Sequence, residues 1–462
     1  MGKPISFLNV PGQRGTGILD SRCVNVLFEI HTNPVTQEQK VYVLKRPGLA
    51  NSTQPPGGAA AGRGIYGWGQ TGKIYSVFAN KVYSGVTDLG VTLAGSTGKV
   101  WWTEIPVASG AAQLVLSDGA DNYNITTADA ITQIDTTDDA QYPASNLGSV
   151  VYLDGYLFQA LGNGQIWQSD LNSLVAWTAG NFISIDTTGT ALVAIARLRD
   201  QIVAFTQEKL EFFFNNGNPS GSVLLRIDQN TAGTGCVRAD SIAQLGDIII
   251  FVGIPARYIH IITPGSIKTI SNPQIERILE TESSGFSAWI THAAGQPIYV
   301  LNCISANRTF VYHIDLDLWC EWSDPSPVEF NGAWATTLGK DVYVQDVANG
   351  RIYTLSATTF QDSGSDFTVS ITTNRSNHGS ENRKYEQSIS VIGDTTTGSL
   401  AVSYSDDDFT TFNTARNIDM SQAVKRLYRL GSFYERAHRF TYSNNAALRL
   451  QAFVPELTNG KH

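Results

Sequence analysis

A β-hairpin unit recurs along most of this chain, and this repeat limits the possible folds more than any other feature. Each copy has a short turn with Gly, Asp or Lys, a β-rich strand, a polar turn, and a second strand with an aromatic or β-branched pair. Two β-rich runs separated by turn-forming residues predict a hairpin. The seven copies are 74–78 with 81–84, 113–116 with 122–125, 156–158 with 165–170, 202–205 with 209–213, 248–251 with 258–261, 298–301 with 309–315, and 342–344 with 350–355.

The spacing of the copies indicates a closed ring. Successive hairpins begin roughly 40 to 50 residues apart, which is the period of four-stranded propeller blades. Each hairpin supplies two strands, and the intervening residues supply the others. One blade cannot bury both of its faces, whereas a ring packs every sheet against a neighbour. The sequence therefore predicts an all-β fold built on a six- or seven-bladed β-propeller.

The flanks of the repeat differ from it. Residues 1–62 contain strand-like runs and end in a Pro- and Gly-rich linker, which predicts an N-terminal arm packed on the main body or on a neighbouring subunit. Residues 63–358 form the predicted propeller. Beyond a polar boundary, short alternating strands predict a β-sandwich-like C-terminal domain over residues 359–462. The sequence predicts one short helix, at residues 421–427.

Composition argues against two classes of function. The chain has 41 Asp and Glu against 32 Lys and Arg, a net charge of -9, and only 16% charged residues. An acidic chain is a poor candidate for gripping nucleic acid, because phosphate binding needs clustered Lys and Arg. No apolar run approaches the roughly 18 residues of a membrane span, so we expect no membrane segment.

The four cysteines are scattered, and none forms a C-x-x-C pair. We expect them to be buried free thiols suited to a reducing cytoplasm rather than zinc ligands or a disulfide framework. They are Cys23, Cys236, Cys303 and Cys320.

Catalytic and ligand-binding motifs are missing from the sequence. It contains no G-x-S-x-G elbow, no H-E-x-x-H helix, no phosphate-binding loop and no EF-hand loop. We therefore expect no catalytic residue, no cofactor-binding residue and no metal site, and hence no enzyme. His260 and His313 fall on predicted strands and are interpreted as structural.

Two polar segments are interpreted as surface turns. The acidic stretch 135–139 offers oxygen ligands for a hard cation, but it lacks the spacing of a calcium loop and is expected to be solvated. Segment 405–412 resembles the Asp-box turn of sialidase-like propellers, with Phe409 in the position of the glycine. Because that box is itself a structural turn, a polar hairpin tip is the favoured interpretation.

One basic cluster is a candidate contact site. It is interleaved with aromatic residues, which in such mixtures stack on bases while the cations contact phosphates. Arg and Tyr are also enriched at subunit interfaces. Because the chain is acidic overall, a subunit interface is favoured over a DNA contact. The residues are Lys425, Arg426, Arg429, Arg436 and Arg439.

Several segments together resemble one family. Residues 21–29 and 44–49 resemble the start of the tail nozzle proteins of short-tailed bacteriophages, also called packaged-DNA stabilisation proteins. The resemblance continues through 64–68, 74–83, 196–205, 210–213, 426–431 and 439–443, and so covers most of the chain. It implies a structural protein of the virion tail, with a propeller that carries extra β domains.

The resemblance also implies partners. Six copies are expected to form a tube below the portal and adaptor rings that retains packaged DNA until ejection. The implied partners are other copies of the chain, a tail adaptor protein, tail spike, fibre or needle proteins, and double-stranded DNA that passes without sequence-specific contacts. Assembly is expected in the cytoplasm of the bacterial host.

A second hypothesis stays open. The chain is then a propeller on the host-recognition side of a phage or bacterial surface. Such a propeller binds glycans, and glycan cleavage is the less favoured form of this hypothesis. A sialidase-type enzyme needs several Asp boxes, convergent arginines, and a tyrosine and a carboxylate in its pocket. Only the one degenerate box is visible, so the tail nozzle is the favoured function.

Overall fold

The structure is a computed structural model that describes residues 4–7, 22–32, 34, 39–106, 112–144, 146–186, 191–228 and 231–460. Almost every regular element in these residues is a β-strand. Ser21, the first residue of the segment that carries the family resemblance, lies outside the described residues. The strands that precede the propeller are β1 (Ile5–Ser6), β2 (Arg22–Val24), β3 (Val26–Thr32), β4 (Gln39–Lys45) and β5 (Gly48–Thr53).

The next strands form consecutive antiparallel sheets, which we number as blades 1 to 7. Blade 1 consists of β6 (Gly62–Trp68), β7 (Lys73–Phe78), β8 (Lys81–Ser84) and β9 (Thr87–Thr92), and blade 2 of β10 (Trp101–Ile105), β11 (Gln113–Ser117), β12 (Asn122–Ile125) and β13 (Ile131–Ile134). Blade 3 consists of β14 (Asn146–Leu153), β15 (Tyr156–Leu161), β16 (Gln165–Gln168) and β17 (Phe182–Ser184), and blade 4 of β18 (Leu192–Leu198), β19 (Gln201–Thr206), β20 (Leu210–Asn215) and β21 (Leu224–Arg226). Blade 5 consists of β22 (Gly235–Cys236), β23 (Ala243–Leu245), β24 (Ile248–Ile254), β25 (Ile259–Thr263) and β26 (Ser266–Thr269). Blade 6 consists of β27 (Phe286–Ala293), β28 (Gln296–Cys303), β29 (Arg308–His313) and β30 (Leu318–Trp322). Blade 7 consists of β31 (Gly332–Leu338), β32 (Asp341–Asp346) and β33 (Ile352–Ser356), which are joined by β5.

The C-terminal strands belong to three sheets, which are those of blades 6 and 7 and a third sheet that also contains β3 and β4. They are β34 (Gln361–Asp362), β35 (Ser365–Asp366), β36 (Val369–Thr372), β37 (Lys384–Gly393), β38 (Ser399–Ser405), β39 (Arg416–Asp419), β40 (Arg426–Tyr428), β41 (Ser432–Phe433), β42 (Ala437–Tyr442) and β43 (Arg449–Asn459).

The seven predicted hairpins are the two middle strands of seven successive blades. For example, Ile202 pairs with Phe213 in β19 and β20, and Ile298 pairs with His313 in β28 and β29. Within the described residues, six blades belong to sheets of four to six strands, and blade 6 is part of a nine-stranded sheet. The predicted all-β propeller is confirmed.

Both faces of each blade are buried, which explains the continuous apolar runs. On β28, Ile298 and Val300 pack toward blade 7, whereas Tyr299 and Leu301 pack toward blade 5. Because neighbouring residues of a strand point to opposite faces, a strand buried on both sides needs apolar residues at every position. One apolar cluster lies between each pair of consecutive blades, and a last cluster joins blade 7 to blade 1.

The N-terminal arm closes the ring. Strand β5 pairs with β33, with Gly48 opposite Ser356 and Leu49 opposite Leu355, and so supplies the fourth strand of blade 7. The two ends of the repeat are thereby hydrogen-bonded to each other. Closure removes a free sheet edge that would otherwise pair with another chain.

Two sheets flank the propeller and enclose a further core. The first has the order β3-β4-β43-β37-β40, with β1 on β43 and β41 on β37. The second continues blade 6 through β30-β2-β36-β42-β38-β39. Phe7, Phe440 and Phe453 pack between them, with ring centroids 5.0 to 5.4 Å apart. Strands from both ends of the chain thus build this unit, and the boundaries at 62 and 358 stay predictions.

The predicted helix at 421–427 is wrong. This segment is a turn, in which Ser421 donates from its backbone nitrogen to Asp419, followed by the start of β40. The one α-helix in the described part of the chain is α1 (Pro273–Thr281). Its N-cap, Asn272, accepts hydrogen bonds from two backbone nitrogens of the first turn, at 3.1 and 3.0 Å. Asn-Pro before an amphipathic run was the signal that the sequence reading missed.

Candidate functional site

The five residues of the basic cluster lie on the two sheets that flank the propeller, which we call the sandwich unit, but they do not form one surface. Arg426 lies on β40 and Arg439 on β42, whereas Lys425, Arg429 and Arg436 lie just outside these strands. Arg436 and Lys425 are buried, Arg439 is half-buried, and Arg426 and Arg429 are exposed. The predicted interface therefore divides into an internal part and an external part.

Arg436 is a structural residue at the centre of the unit. Its guanidinium makes two hydrogen bonds of 2.7 Å to Asp406, and one of 2.8 Å to Glu386. It also lies 3.6 Å from the ring centroid of Tyr404. Glu386 is in turn 3.0 Å from His438 Nε2. Burial raises the pKa of Glu386, but the charges and hydrogen bonds of His438 and Arg436 outweigh this effect and lower it.

Lys425 and Arg439 are also held by internal contacts. Lys425 is 6% exposed, and its Nζ donates to Thr395 Oγ1 at 3.4 Å. The Arg439 guanidinium stacks on Phe412, 3.4 Å from the ring centroid. Burial, with a smaller contribution from the charge of Arg22, lowers the pKa of Arg439. Neither side chain is placed to grip an external phosphate.

The exposed part of the cluster is an outer sheet face at the edge strand β40. Arg426 donates from Nε to Ser390 Oγ at 2.7 Å, and Tyr428 beside it is 56% exposed. Arg416 joins them by donating from Nη1 to the carbonyls of Tyr428 and Arg429, at 2.7 and 3.0 Å. We call this surface the β40 face and define it by Tyr385, Arg416, Val424, Arg426, Tyr428 and Arg429.

Sequence reasoning missed Tyr385 and Arg416 because each is separated from β40 along the chain. Tyr385 lies on β37, whose Ser388 pairs with Tyr428. Only strand pairing brings them to one face.

The segment 44–49, which carries much of the family resemblance, lies where propeller and sandwich meet. The Arg46 side chain is fully buried and donates five hydrogen bonds, to Asn25, the Pro47 carbonyl, the Ser323 carbonyl and both oxygens of Asp362. Its guanidinium carbon lies 3.7 Å from the ring centroid of Phe367. This segment is a structural junction.

Gly48 in the same segment has no room for a side chain. A Cβ atom there would lie 2.2 Å from the Gln361 carbonyl oxygen of strand β34. The close approach of β34 to the propeller therefore requires glycine.

The Asp-box-like turn is ordered by its own carboxylate. Asp407 accepts from the Ser405 hydroxyl at 2.8 Å, from the Thr411 backbone nitrogen at 2.9 Å and from the Thr411 hydroxyl. These hydrogen bonds lower the pKa of Asp407 to about 2. Phe409 takes the left-handed conformation of the missing glycine, with φ at 65°. The turn is the structural hairpin tip that the sequence predicts.

The remaining candidates also have structural roles. Asp135 and Asp139 accept hydrogen bonds within their own turn, and Asp139 also accepts from the Trp177 backbone nitrogen at 2.9 Å. Burial lowers the pKa of His313 to about 4, and its Nδ1 lies 3.2 Å from Gln296 Oε1. Among the described residues, no group of three or more His, Cys, Asp or Glu is placed to hold a metal ion. In the same residues, no helix has the length and hydropathy to cross a membrane.

The centre of the propeller holds a small cavity. Inner strands of blades 1, 2, 5, 6 and 7 enclose about 410 Å³, and Trp101, Trp102, Tyr66 and Trp334 line it. Lys99 reaches across it and donates to the Ile242 carbonyl at 2.7 Å. Its Nζ lies 4.2 Å from the ring centroid of Trp101. Burial lowers the pKa of Lys99 to about 8.

Comparison with known proteins gives a family match. The model of a family described as "Bacteriophage P22 Gp10, beta-propeller" matches residues 13–360. No curated protein is similar enough in sequence to match the chain.

Matches to solved structures have low sequence identity and low TM-scores. A streptogramin B lyase is 14% identical over 68% of this chain and 98% of its own, with a TM-score of 0.42. The β-propeller domain of Cps50 (Swd1) from Myceliophteria thermophila is 10% identical over 67% of this chain and 99% of its own, with a TM-score of 0.45. PorZ of Porphyromonas gingivalis is 12% identical over 71% of this chain and 42% of its own, with a TM-score of 0.40. Such similarity says nothing about function.

Proposed function

Because this chain belongs to the bacteriophage P22 Gp10 β-propeller family, a family of structural phage proteins, we propose that several copies form the nozzle of a phage tail. In this proposal the nozzle retains packaged DNA and becomes its exit conduit during ejection. The family match over residues 13–360 is the observation that carries the proposal.

The size of the propeller cavity supports a passage formed between chains. A volume of about 410 Å³ is in the range of small-molecule sites. A DNA duplex, whose major groove alone is about 12 Å wide, does not fit through it. Any conduit for DNA must therefore be enclosed by several copies, for which the proposed number is six.

The charge of the chain suits a conduit. With a net charge of -9, the protein offers few cations to phosphates, so that DNA is expected to slide rather than bind. The proposed neighbours are a tail adaptor protein on one side and spike, fibre or needle proteins on the other. The proposed location is the virion tail, after assembly in the host cytoplasm.

A glycan-binding propeller is the second candidate. Trp101, Trp102 and Tyr66 are half-buried rings at the central cavity, and aromatic faces of this kind stack on sugar rings. Lys99 already occupies the space between Trp101 and Trp334, which argues against a second ligand there. The nozzle is therefore preferred.

Two measurements test the proposal. Virions assembled without this chain are expected to package DNA and then lose it, and supplying the wild-type chain is expected to restore DNA-filled particles. Native mass spectrometry of tails is expected to give a closed ring of copies. DNA-filled infectious particles that lack the chain, or a stable monomer that binds oligosaccharide, would contradict the nozzle.

A further inference from the structure

The charges of this chain are distributed unevenly between its parts. Residues 62–356 contain 27 Asp and Glu against 15 Lys and Arg, a net charge of -12. The segments on either side together carry +3. The acidic character is therefore a property of the propeller, whereas residues 1–61 carry +3 and residues 357–462 are neutral overall.

The β40 face concentrates cations that have no carboxylate partner among the described residues. Arg416, Arg426 and Arg429 are exposed, and among the described residues none of them makes an ion pair. Their hydrogen bonds go instead to Ser390 and to backbone carbonyls of β40. A carboxylate is present nearby, but Glu456 accepts the Ser388 hydroxyl at 2.8 Å.

The same face groups several exposed apolar and aromatic side chains. Val424 is 71% exposed, Tyr428 is 56% exposed and Tyr385 is 49% exposed. Exposed aromatic residues beside arginines are typical of interface hot spots. Since Arg416 covers two edge carbonyls of β40, docking here is expected to use side chains rather than an added strand.

We infer that the β40 face docks on the acidic propeller of a second copy of this chain. The complementary charges lie on different parts of the molecule, so the contact is head-to-tail. Each copy then offers one basic face and, on its propeller, one acidic surface, which we call the acidic flank. Such heterologous contacts generate a ring when the rotation closes. This inference rests on the proposed nozzle and adds the surfaces by which its copies join.

The test uses the full-length chain and charge reversal. Arg426→Glu with Arg429→Glu is expected to weaken association at least roughly tenfold, because opposed patches become like-charged. The matched control is Lys40→Glu. This lysine of β4 is also exposed and makes no ion pair among the described residues, and it lies outside both the β40 face and the propeller. Association of this control is expected to stay within about twofold of wild type.

Native mass spectrometry and sedimentation measure assembly at low and high salt. Wild-type association is expected to weaken as salt screens the contact. Val424→Ser with Tyr428→Ser is expected to weaken it independently of salt, whereas Tyr434→Ser, at an exposed residue outside both the β40 face and the propeller, is not. Unchanged circular dichroism of every variant excludes misfolding as the cause.

Mixing the variant with wild type tests the direction of the contact. In a head-to-tail contact the Arg426→Glu/Arg429→Glu chain keeps its acidic flank, so it binds one wild-type neighbour and ends the assembly. If two β40 faces met each other, the mixed pair would instead be more stable than the wild-type pair. That result overturns the inference.

Tails extracted from virions separate this inference from the proposed function. A wild-type chain that is monomeric there contradicts the nozzle itself. If wild type and the reversal variant both form rings equally well, only the docking inference fails. It also fails if the variant forms rings normally but loses affinity for a short DNA duplex, because the β40 face then lines the DNA passage.

Discussion

Replacing Arg46 is expected to loosen the junction between the propeller and the sandwich unit. The Arg46→Met variant leaves the Asp362 carboxylate, which is 8% exposed, with one hydrogen-bond donor among the described residues, the Leu49 backbone nitrogen at 3.1 Å. Removing one partner of a buried ion pair costs about 3–5 kcal/mol, chiefly because the other charge stays buried without a counter-charge. We expect the free energy of unfolding to fall by about that amount.

Two further variants separate the charge from the geometry of Arg46. Lysine keeps the charge but cannot reproduce five donors in a planar fork, so Arg46→Lys is expected to cost about 1.5–3 kcal/mol. Arg46→Met combined with Asp362→Leu removes both charges and is expected to be less destabilising than Arg46→Met alone. Arg351→Met, which loses one 2.7 Å hydrogen bond to Ser52 near the surface, is the control and is expected to cost under about 1 kcal/mol.

Urea unfolding measures these differences. Tryptophan fluorescence includes a signal from the junction, because the Arg46 guanidinium carbon lies 5.5 Å from the Trp322 ring centroid, and eight other tryptophans report on the rest of the chain. Coincident fluorescence and circular dichroism transitions are needed before free energies are compared. The reasoning is refuted if Arg46→Met stays within about 1 kcal/mol of wild type, or if the double variant is as unstable as the single one.

Three other predictions follow from local geometry. Gly48→Ala is expected to lower the urea midpoint, at a cost of about 1–3 kcal/mol or more, because the new Cβ overlaps a carbonyl of β34. The control is Gly58→Ala, because no atom lies within 4 Å of a Cβ placed there. Equal midpoints for the two variants would contradict the steric argument. All four cysteines are buried, and burial raises the pKa of Cys23 and Cys236 to about 12, so a thiol reagent at pH 8 is expected to label none before unfolding and four after it. The lowered pKa of Asp407 means that its contribution to stability is present above the unfolded pKa of about 4 and is lost as the pH falls toward 2. The stability difference between wild type and Asp407→Asn is therefore expected to disappear at that pH, and a constant difference would contradict it.

The hairpins were predictable because their signal is local. Turn residues between two β-rich runs determine the pairing of β19 with β20 or of β28 with β29 without reference to the rest of the chain. The burial of the strands on both faces was also predictable from the sequence. A run such as Ile202 to Phe205 has no polar face, so it must be buried on both sides, as in a ring of blades.

The candidate site was predictable only in part. The sequence placed five cations within a short segment, but the tertiary fold turned Arg436 inward onto Glu386 and left Arg426 outside. No local pattern distinguishes these two arginines, because their burial depends on which sheet covers each face. Arg416 came to the same surface through hydrogen bonds to β40, a contact between segments that the sequence separates.

The sequence by itself determined that this chain is an all-β repeat protein without a recognisable catalytic motif, because hairpin turns, apolar runs and motif spacing are all short-range properties. Tertiary structure alone decided how the ring closes and how the flanks join it. Strand β5 completes blade 7, and Arg46 meets Asp362 more than three hundred residues away along the chain. Such contacts depend on loop closure over the whole propeller, and their free energy comes from burial and pairing that exist only after the blades have packed.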